Sequence, residues 1–154
     1  MGKGFTVAEQ GHIVQLLAPI DIAAATSSEV FSMENWSHAS IICQKGAGSA
    51  CTIQVEECTA FAGTGAATKT FRYCYERTAA GDTLTALATA TTAGIATTTS
   101  SGELLVIEID SDELTDGYPY VRIKCSATGT NLGAWIAILS GGRYQEDITA
   151  TAIV

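Results

Sequence analysis

Hydrophobic and polar residues alternate along several short windows of the chain. Strict alternation occurs in residues 51–56, 70–76 and 120–125, so each window has one apolar and one polar face. This two-residue period is typical of strands that are buried on one side. The window 104–109 is more continuously apolar and predicts a strand that is covered on both sides.

Turn-forming residues separate these windows and indicate how they connect. The apolar run 40–45 ends at residues 46–49, which contain two glycines, and the alternating window 51–56 follows. Two such runs joined by a short Gly-containing loop predict a β-hairpin. Residues 83–102 are rich in Thr and Ala and predict two further strands around a turn. Residues 111–114 predict one helical turn that begins at an N-cap residue.

The spacing of the windows, which end with an apolar run at residues 133–139, indicates the fold class. Short alternating strands separated by turns favour antiparallel sheets over βαβ units. We therefore predict an all-β protein, an antiparallel β-sandwich of jelly-roll type with extended N- and C-terminal arms. The predicted division is an N-terminal arm with the first strand (1–30), a sandwich domain (31–145) and a C-terminal arm (146–154).

Both ends of the chain are unusually apolar. Residues 13–22 and 148–154 are rich in Ile, Val, Leu and Ala, whereas chain termini are commonly polar and frayed. An apolar, β-prone end promotes aggregation unless something covers it. We therefore predict that eight side chains of these segments make assembly contacts: Val14, Leu16, Leu17, Ile20, Ile22, Ile148, Ile153 and Val154. The alternative is that the tail completes the protein's own sheet.

Composition excludes several classes of function. The 154 residues include 8 Lys and Arg against 16 Asp and Glu, which gives a net charge of -8. There is no basic tract, so we expect no nucleic-acid partner. No apolar run approaches the roughly 20 residues that cross a bilayer, so we expect no membrane partner. The first residues lack the pattern of a secretion signal, which favours folding in a reducing cytosol.

Few residues are available for catalysis or metal binding. His12 and His38 are the two histidines, and no known catalytic motif surrounds either of them. The acidic segment 110–117 departs from a calcium loop, because Leu114 and Thr115 stand where that loop needs an acid and a glycine. The cysteines lack C-x-x-C spacing and are expected to be small buried hydrophobic residues: Cys43, Cys51, Cys58, Cys74 and Cys125. We therefore expect no enzyme, no cofactor and no metal site.

Aromatic residues suggest an alternative role in binding carbohydrate. Trp36, Tyr118 and Tyr144 lie near predicted loops, where their rings would be able to stack on a sugar. Alternation places three further aromatic residues on one face of a strand, which favours core packing for them: Phe71, Tyr73 and Tyr75. A receptor-binding sandwich is therefore the alternative to a purely structural role.

Three segments of the chain resemble small β-rich virion proteins of tailed bacteriophages. They are residues 31–44 (FSMENWSHASIICQ), 117–123 (GYPYVRI) and 134–141 (AWIAILSG). The resemblance implies a structural protein without catalytic residues, made in the host cytoplasm and placed on the outer capsid surface. There it would act as a decoration (cement) protein that stabilises the head, as a homotrimer bound to the major capsid protein. A neck, tail or baseplate protein is the alternative within the virion.

Overall fold

The computed structural model describes residues 4, 6–22, 26–78, 80–143 and 152–153. A short helix, α1 (Val7–Gln10), precedes the strands, and a 3-10 turn at Ser111–Glu113 matches the predicted helical turn. No helix among the described residues is long and apolar enough to cross a membrane. The strands in these residues are β1 (His12–Asp21), β2 (Thr26–Ser27), β3 (Phe31–Ser32), β4 (Trp36–Gly48), β5 (Cys51–Cys58), β6 (Ala67–Lys69), β7 (Phe71–Glu76), β8 (Ala88–Ala90), β9 (Ile95–Ala96), β10 (Glu103–Asp110), β11 (Tyr120–Ala127) and β12 (Asn131–Gly142).

The strands form two antiparallel sheets that pack against each other. Sheet A has the order β1-β12-β4-β10-β7-β8, and sheet B has the order β2-β11-β5-β6. The short strands β3 and β9 add to sheet B through β11 and β5. The sets β1-β12-β4-β10 and β2-β11-β5-β6 together have the strand order of a jelly roll. The predicted all-β sandwich is therefore confirmed.

The core lies between the two sheets and is made of the inward-facing side chains. Because successive side chains along a strand point to opposite faces, every second residue of the long strands enters this core. Burial of one such side chain contributes about 1.5–3 kcal/mol. Five large side chains among them are 2% exposed or less: Trp135, Leu139, Ile41, Ile107 and Ile123.

The predicted hairpin between β4 and β5 is wrong. β4 pairs with β10 and β12 in sheet A, whereas β5 pairs with β6, β9 and β11 in sheet B. Residues 49–50 therefore carry the chain from one sheet to the other. The Ser49 N–H donates to the Thr130 carbonyl at 2.8 Å, so this crossing lies beside the β11–β12 connection, which also changes sheets. A hairpin and an arch between sheets share the same local pattern, because only distant pairing partners separate them.

Two further predictions are corrected in part. The strand predicted at 104–109 is present as β10, but Leu104 and Val106 point to the outer face of sheet A and are only half-buried. Residues 83–102 supply β8 and β9, as predicted, but these strands belong to different sheets because the turn between them crosses the sandwich edge.

The described parts of both terminal segments pack on the sandwich itself. β1 forms one edge of sheet A, where it pairs with β12. Ala152 is 4% exposed, and its carbonyl accepts a hydrogen bond from the Ser32 N–H at 3.0 Å. These contacts agree with the alternative in which the chain ends complete the protein's own structure.

Candidate interaction surface

The structure separates the predicted assembly residues into buried and exposed ones. Three of them are 4% exposed or less and pack in the protein's own core, where a second molecule does not reach them: Val14, Leu16 and Ile22. Leu17 and Ile153 are partly buried against the same core. Ile20 is 42% exposed. Ile148 and Val154 lie outside the described residues. Among the described members of the set, Ile20 is therefore the most accessible.

The outer face of sheet A carries an exposed row of apolar side chains. Strand register places Ile136, Ile42, Val106 and Cys74 side by side on β12, β4, β10 and β7, and we call these four residues the apolar row. Ile136 is 37% exposed and the other three are half-buried. Ile13 on the adjacent edge strand β1 is 52% exposed and widens this surface. Contiguous exposed apolar surface of this kind marks an interaction site.

A groove of 440 Å³ extends the apolar surface toward one end of sheet A. Pro19, Ile20, Leu132 and Ala134 lie in its walls, and Ile20 and Leu132 are 42% and 46% exposed. Four of the six large hydrophobic side chains that the described residues expose therefore lie on this side of the molecule. The remaining two belong to the segment before β8: Leu84 and Leu87.

The outer face of sheet B differs, because polar side chains and a loop cover it. Arg122 donates to the Glu56 carboxylate at 2.7 Å across β11 and β5. The loop between β5 and β6 lies directly over this ion pair. Its residue Gly63 has a φ of +75°, and a methyl group added there would lie 2.5 Å from the Arg122 guanidinium. Phe61 packs edge-on against Tyr120 at 5.9 Å between ring centres. Of the two outer faces, that of sheet A is therefore the apolar one.

A polar cluster borders the apolar row. His38 Nδ1 lies 2.6 Å from Asp110 Oδ1, and His38 Nε2 lies 2.7 Å from Glu108 Oε2. The Ser40 hydroxyl donates to the same Glu108 oxygen at 2.6 Å, and Arg72 pairs with Asp110. Both ring nitrogens therefore face carboxylate oxygens. The sequence does not indicate this cluster, because both carboxylate partners of His38 come from β10, about 70 residues further along the chain.

The order Asp110, His38, Ser40 resembles the arrangement of a serine hydrolase, but its contacts do not fit that chemistry. Nε2 lies 3.3 Å from Ser40 Oγ and closer, at 2.7 Å, to Glu108. A nucleophilic serine needs a ring nitrogen that accepts its proton. Here the hydroxyl proton lies on the bond to Glu108, and Nε2 is directed at the same carboxylate. The cluster therefore holds three strands together and offers no activated nucleophile.

We expect a fluorophosphonate probe to leave the protein unmodified, because Ser40 has no base to accept its proton. Intact-protein mass spectrometry after incubation with the probe would measure this. The Ser40→Ala variant serves as the control. Labelling of the wild type that disappears in Ser40→Ala would show that Ser40 is a nucleophile after all.

Two carboxyl groups are held ionised by their neighbours. A hydrogen bond from His38 is the main cause that keeps the pKa of Asp110 below its ordinary 3.8. Burial alone would raise the pKa of Glu57, but hydrogen bonds from Thr115 and the Lys69 ammonium, 3.0 Å away, outweigh it. The pKa of Glu57 therefore lies below its ordinary 4.5.

We expect acid to destabilise the protein through these two groups. A carboxyl whose pKa is lower in the folded state stabilises that state above its unfolded pKa, and the effect is lost as the pH falls through the folded pKa. The free energy of unfolding should therefore be level above about pH 5 and decline below it. Urea denaturation at a series of pH values would measure this. The decline should be shallower in Glu57→Gln, and equal declines would contradict the role of Glu57.

Three thiols meet in the interior of the sandwich: Cys43, Cys51 and Cys125, each 5% exposed or less. The hydrogen bond between Cys51 and Cys125 lowers the pKa of Cys51 and raises that of Cys125, while burial raises the pKa of Cys43. Cys58 is buried as well, and Cys74 is half-buried in the apolar row. All five thiols are free. No group of three or more His, Cys, Asp or Glu in the described part of the chain is arranged to hold a metal ion.

The predicted aromatic groove for carbohydrate does not have Trp36 as a stacking face. Trp36 is 4% exposed, and its ring stacks on His12 with 5.5 Å between ring centres. Tyr73 and Tyr75 stack on each other at 6.2 Å and pack against the core, as their alternation predicts. Tyr144 lies outside the described residues. Tyr118 is half-buried and lies in the wall of a separate pocket of 340 Å³. Trp36 is therefore removed from the predicted aromatic groove.

The side chains of the polar cluster are paired with one another, whereas the apolar row is partly exposed and the adjoining groove is open to solvent. Comparisons with protein-family models, with curated proteins and with solved structures find no match to this chain.

Proposed function

We propose that this protein is a non-enzymatic structural protein of a bacteriophage virion. Its role would be that of a decoration protein, which binds the outer capsid surface as a symmetric oligomer and stabilises the head. One observation carries the proposal: the apolar row lies on the outer face of sheet A with Ile136 exposed and its other members only half-buried, and the exposed Ile13 is on the neighbouring strand β1. Surfaces of this kind are buried in the functional assembly, so the protein acts by joining a larger structure.

The fold is compatible with this role. Jelly-roll sandwiches occur in viral capsid and lectin domains, and their two packed sheets give a rigid body that keeps its shape under load. A fold alone does not imply a function, so the exposed face of sheet A is the stronger support. The resemblance of residues 31–44, 117–123 and 134–141 to virion proteins points in the same direction.

A position in the neck, tail or baseplate would use the same surface. The two placements differ in symmetry, because a decoration protein on capsid facets would form trimers, whereas neck and tail rings would be sixfold or twelvefold. Imaging of the assembled particle would separate them, since it shows the symmetry and the neighbours of the chain together.

We expect the purified protein to bind capsids of the phage that encodes it, when those capsids are assembled without it. Binding should saturate at symmetry-related positions and should raise the temperature at which the capsids open, because each bound oligomer adds contacts between capsid subunits. Co-sedimentation and thermal release of DNA would measure the two effects. Capsids that neither bind the protein nor gain stability from it would contradict the proposed function.

A further inference from the structure

We infer that the apolar row of sheet A is the face that docks on a different protein, whose own apolar surface is bordered by Lys or Arg. The inference rests on the proposed function and deepens it, because it names the face that meets the capsid and the character of the surface that receives it.

Strand β10 shows that the sandwich covers only one side of sheet A. A strand that is buried on both faces has a nearly continuous apolar sequence, and residues 104–109 have that character. The inward side chains Leu105 and Ile107 are 3% exposed or less. The outward side chains Leu104 and Val106 are only half-buried. The sequence predicts that both faces of β10 are buried, but the described residues bury only its inner face.

The groove beside the apolar row gives the surface a shape that can receive a side chain. Its 440 Å³ lie between Ile20 and Leu132. Interfaces gain most of their affinity from a few apolar anchors that fill such depressions. Ala134, which lies two residues before Ile136 on β12, is in the wall of the groove and brings it next to the apolar row. The walls also contain polar side chains, Gln44, Lys45 and Ser101, so the groove is suited to a partner side chain that combines an apolar and a polar part.

The border of this surface is acidic. Carboxylates outnumber cations in the outer-face positions next to the apolar row and in the turn that follows β10. The carboxylates are Glu76, Glu108, Asp110, Asp112 and Glu113, and the cations are Arg72 and Arg143, which donates to Ser111 of that turn. Lys45 lies in the wall of the groove, where its ammonium donates to carbonyls of its own chain. Glu113 and Asp110 are 42% and 39% exposed and therefore reach solvent. Complementary potentials favour association and like charges oppose it. The matching border on a partner is therefore basic.

A second copy of this chain lacks such a basic border. The net charge is -8, so electrostatic repulsion opposes contact between two copies through this acidic border, and the proposed oligomer would use another face. The Lys and Arg side chains of the described residues all have partners within the chain, and so do four carboxylates of the border, those of Glu76, Glu108, Asp110 and Glu113. The excess of carboxylates therefore remains on every copy, and each of two copies would bring the same net acidic border to the interface. The charges therefore favour a different protein over a second copy.

The experiment compares two lysine substitutions in the capsid-binding assay. Ile136→Lys places a charge at the most exposed member of the apolar row, on β12 at the end nearer the groove. Leu84→Lys makes the same change at a side chain of similar exposure, 44%, before β8. Burying the new ammonium in an apolar interface should weaken capsid binding by Ile136→Lys at least about tenfold. Leu84→Lys should bind like the wild type. Circular dichroism of both variants shows whether they are folded, and Ile136→Thr gives a milder probe if Ile136→Lys is not.

Two further measurements test the partner. The salt dependence of capsid binding tests whether the receiving surface is basic, and sedimentation of the free protein tests whether a second copy occupies the face. If the receiving surface is basic, the affinity of the wild type for capsids should fall as salt is raised. An affinity that rises with salt would overturn the inference. So would an oligomer of the free protein that dissociates in Ile136→Lys during sedimentation, because a second copy would then occupy the face.

The outcomes also separate this inference from the proposed function. Wild-type protein that binds capsids, together with Ile136→Lys that binds equally well, would overturn the docking face and leave the proposed function standing. Wild-type protein that does not bind capsids would overturn both.

Discussion

The Trp135→Ala variant should lose about 3–5 kcal/mol of its free energy of unfolding. Trp135 is 2% exposed on β12, between β1 and β4, and its removal leaves a large cavity that neighbouring strands cannot close. Domains of this kind have a total stability of about 5–15 kcal/mol, so the variant should be close to unfolding at moderate temperature. Urea denaturation followed by far-UV circular dichroism would measure the loss.

The adjacent residue provides the matched control. Ile136 is on the same strand but points outward and is 37% exposed, so Ile136→Ala should cost only about 1 kcal/mol. Equal losses for the two variants would contradict the assignment of Trp135 to the core and of Ile136 to the outer face.

The Gly48→Ala variant should lose about 3 kcal/mol, because both the backbone angle and the space at this position require glycine. The φ of Gly48 is +134°. An added methyl carbon would lie 2.7 Å from the Asn131 Cα and closer still to the Thr130 carbonyl oxygen. These atoms belong to the backbone of the β11–β12 connection, which cannot move aside without disturbing both sheets. The midpoint of thermal unfolding and urea denaturation would measure the effect.

The Gly117→Ala variant separates the effect of the positive φ from the effect of the steric clash. The φ of Gly117 is +82°, but no atom lies within 4 Å of the methyl position, so Gly117→Ala should lose only the backbone term, about 1 kcal/mol. If Gly48→Ala were no more harmful than Gly117→Ala, the close approach of the two crossings between sheets would be in error.

Alternation in the sequence predicts the strands of the windows 51–56, 70–76 and 120–125 and the direction of their side chains. In β11, Val121, Ile123 and Cys125 are predicted to face inward, and all three are fully buried. The pairing of β4 and β5 was predicted wrongly, because a two-residue period says which face is apolar and nothing about which strand lies beside it. Pairing partners in this fold come from distant parts of the chain.

The candidate surface was accessible from the sequence only in part. Residues 104–109 are apolar at successive positions, and this signal indicates a strand with two apolar faces. It does not say whether the second apolar face is buried by the same chain or by another molecule. The sequence does not predict the polar cluster. His38 contacts Glu108 and Asp110, which are 70 and 72 residues away along the chain, and only the pairing of β4 with β10 brings them together. The prediction of assembly contacts at Val14 and Leu16 used the apolar character of β1 without knowing which of its faces is turned inward.

The position of β12 has a consequence for how the protein is made. β12 lies between β1 and β4 in sheet A, although it follows both of them by many residues along the chain. Among the described residues, β12 is the strand that pairs with β1, so a nascent chain that lacks β12 leaves β1 without this partner. We therefore expect sheet A to be completed only after β12 has been synthesised, and chains released before that point to aggregate through their unpaired strands.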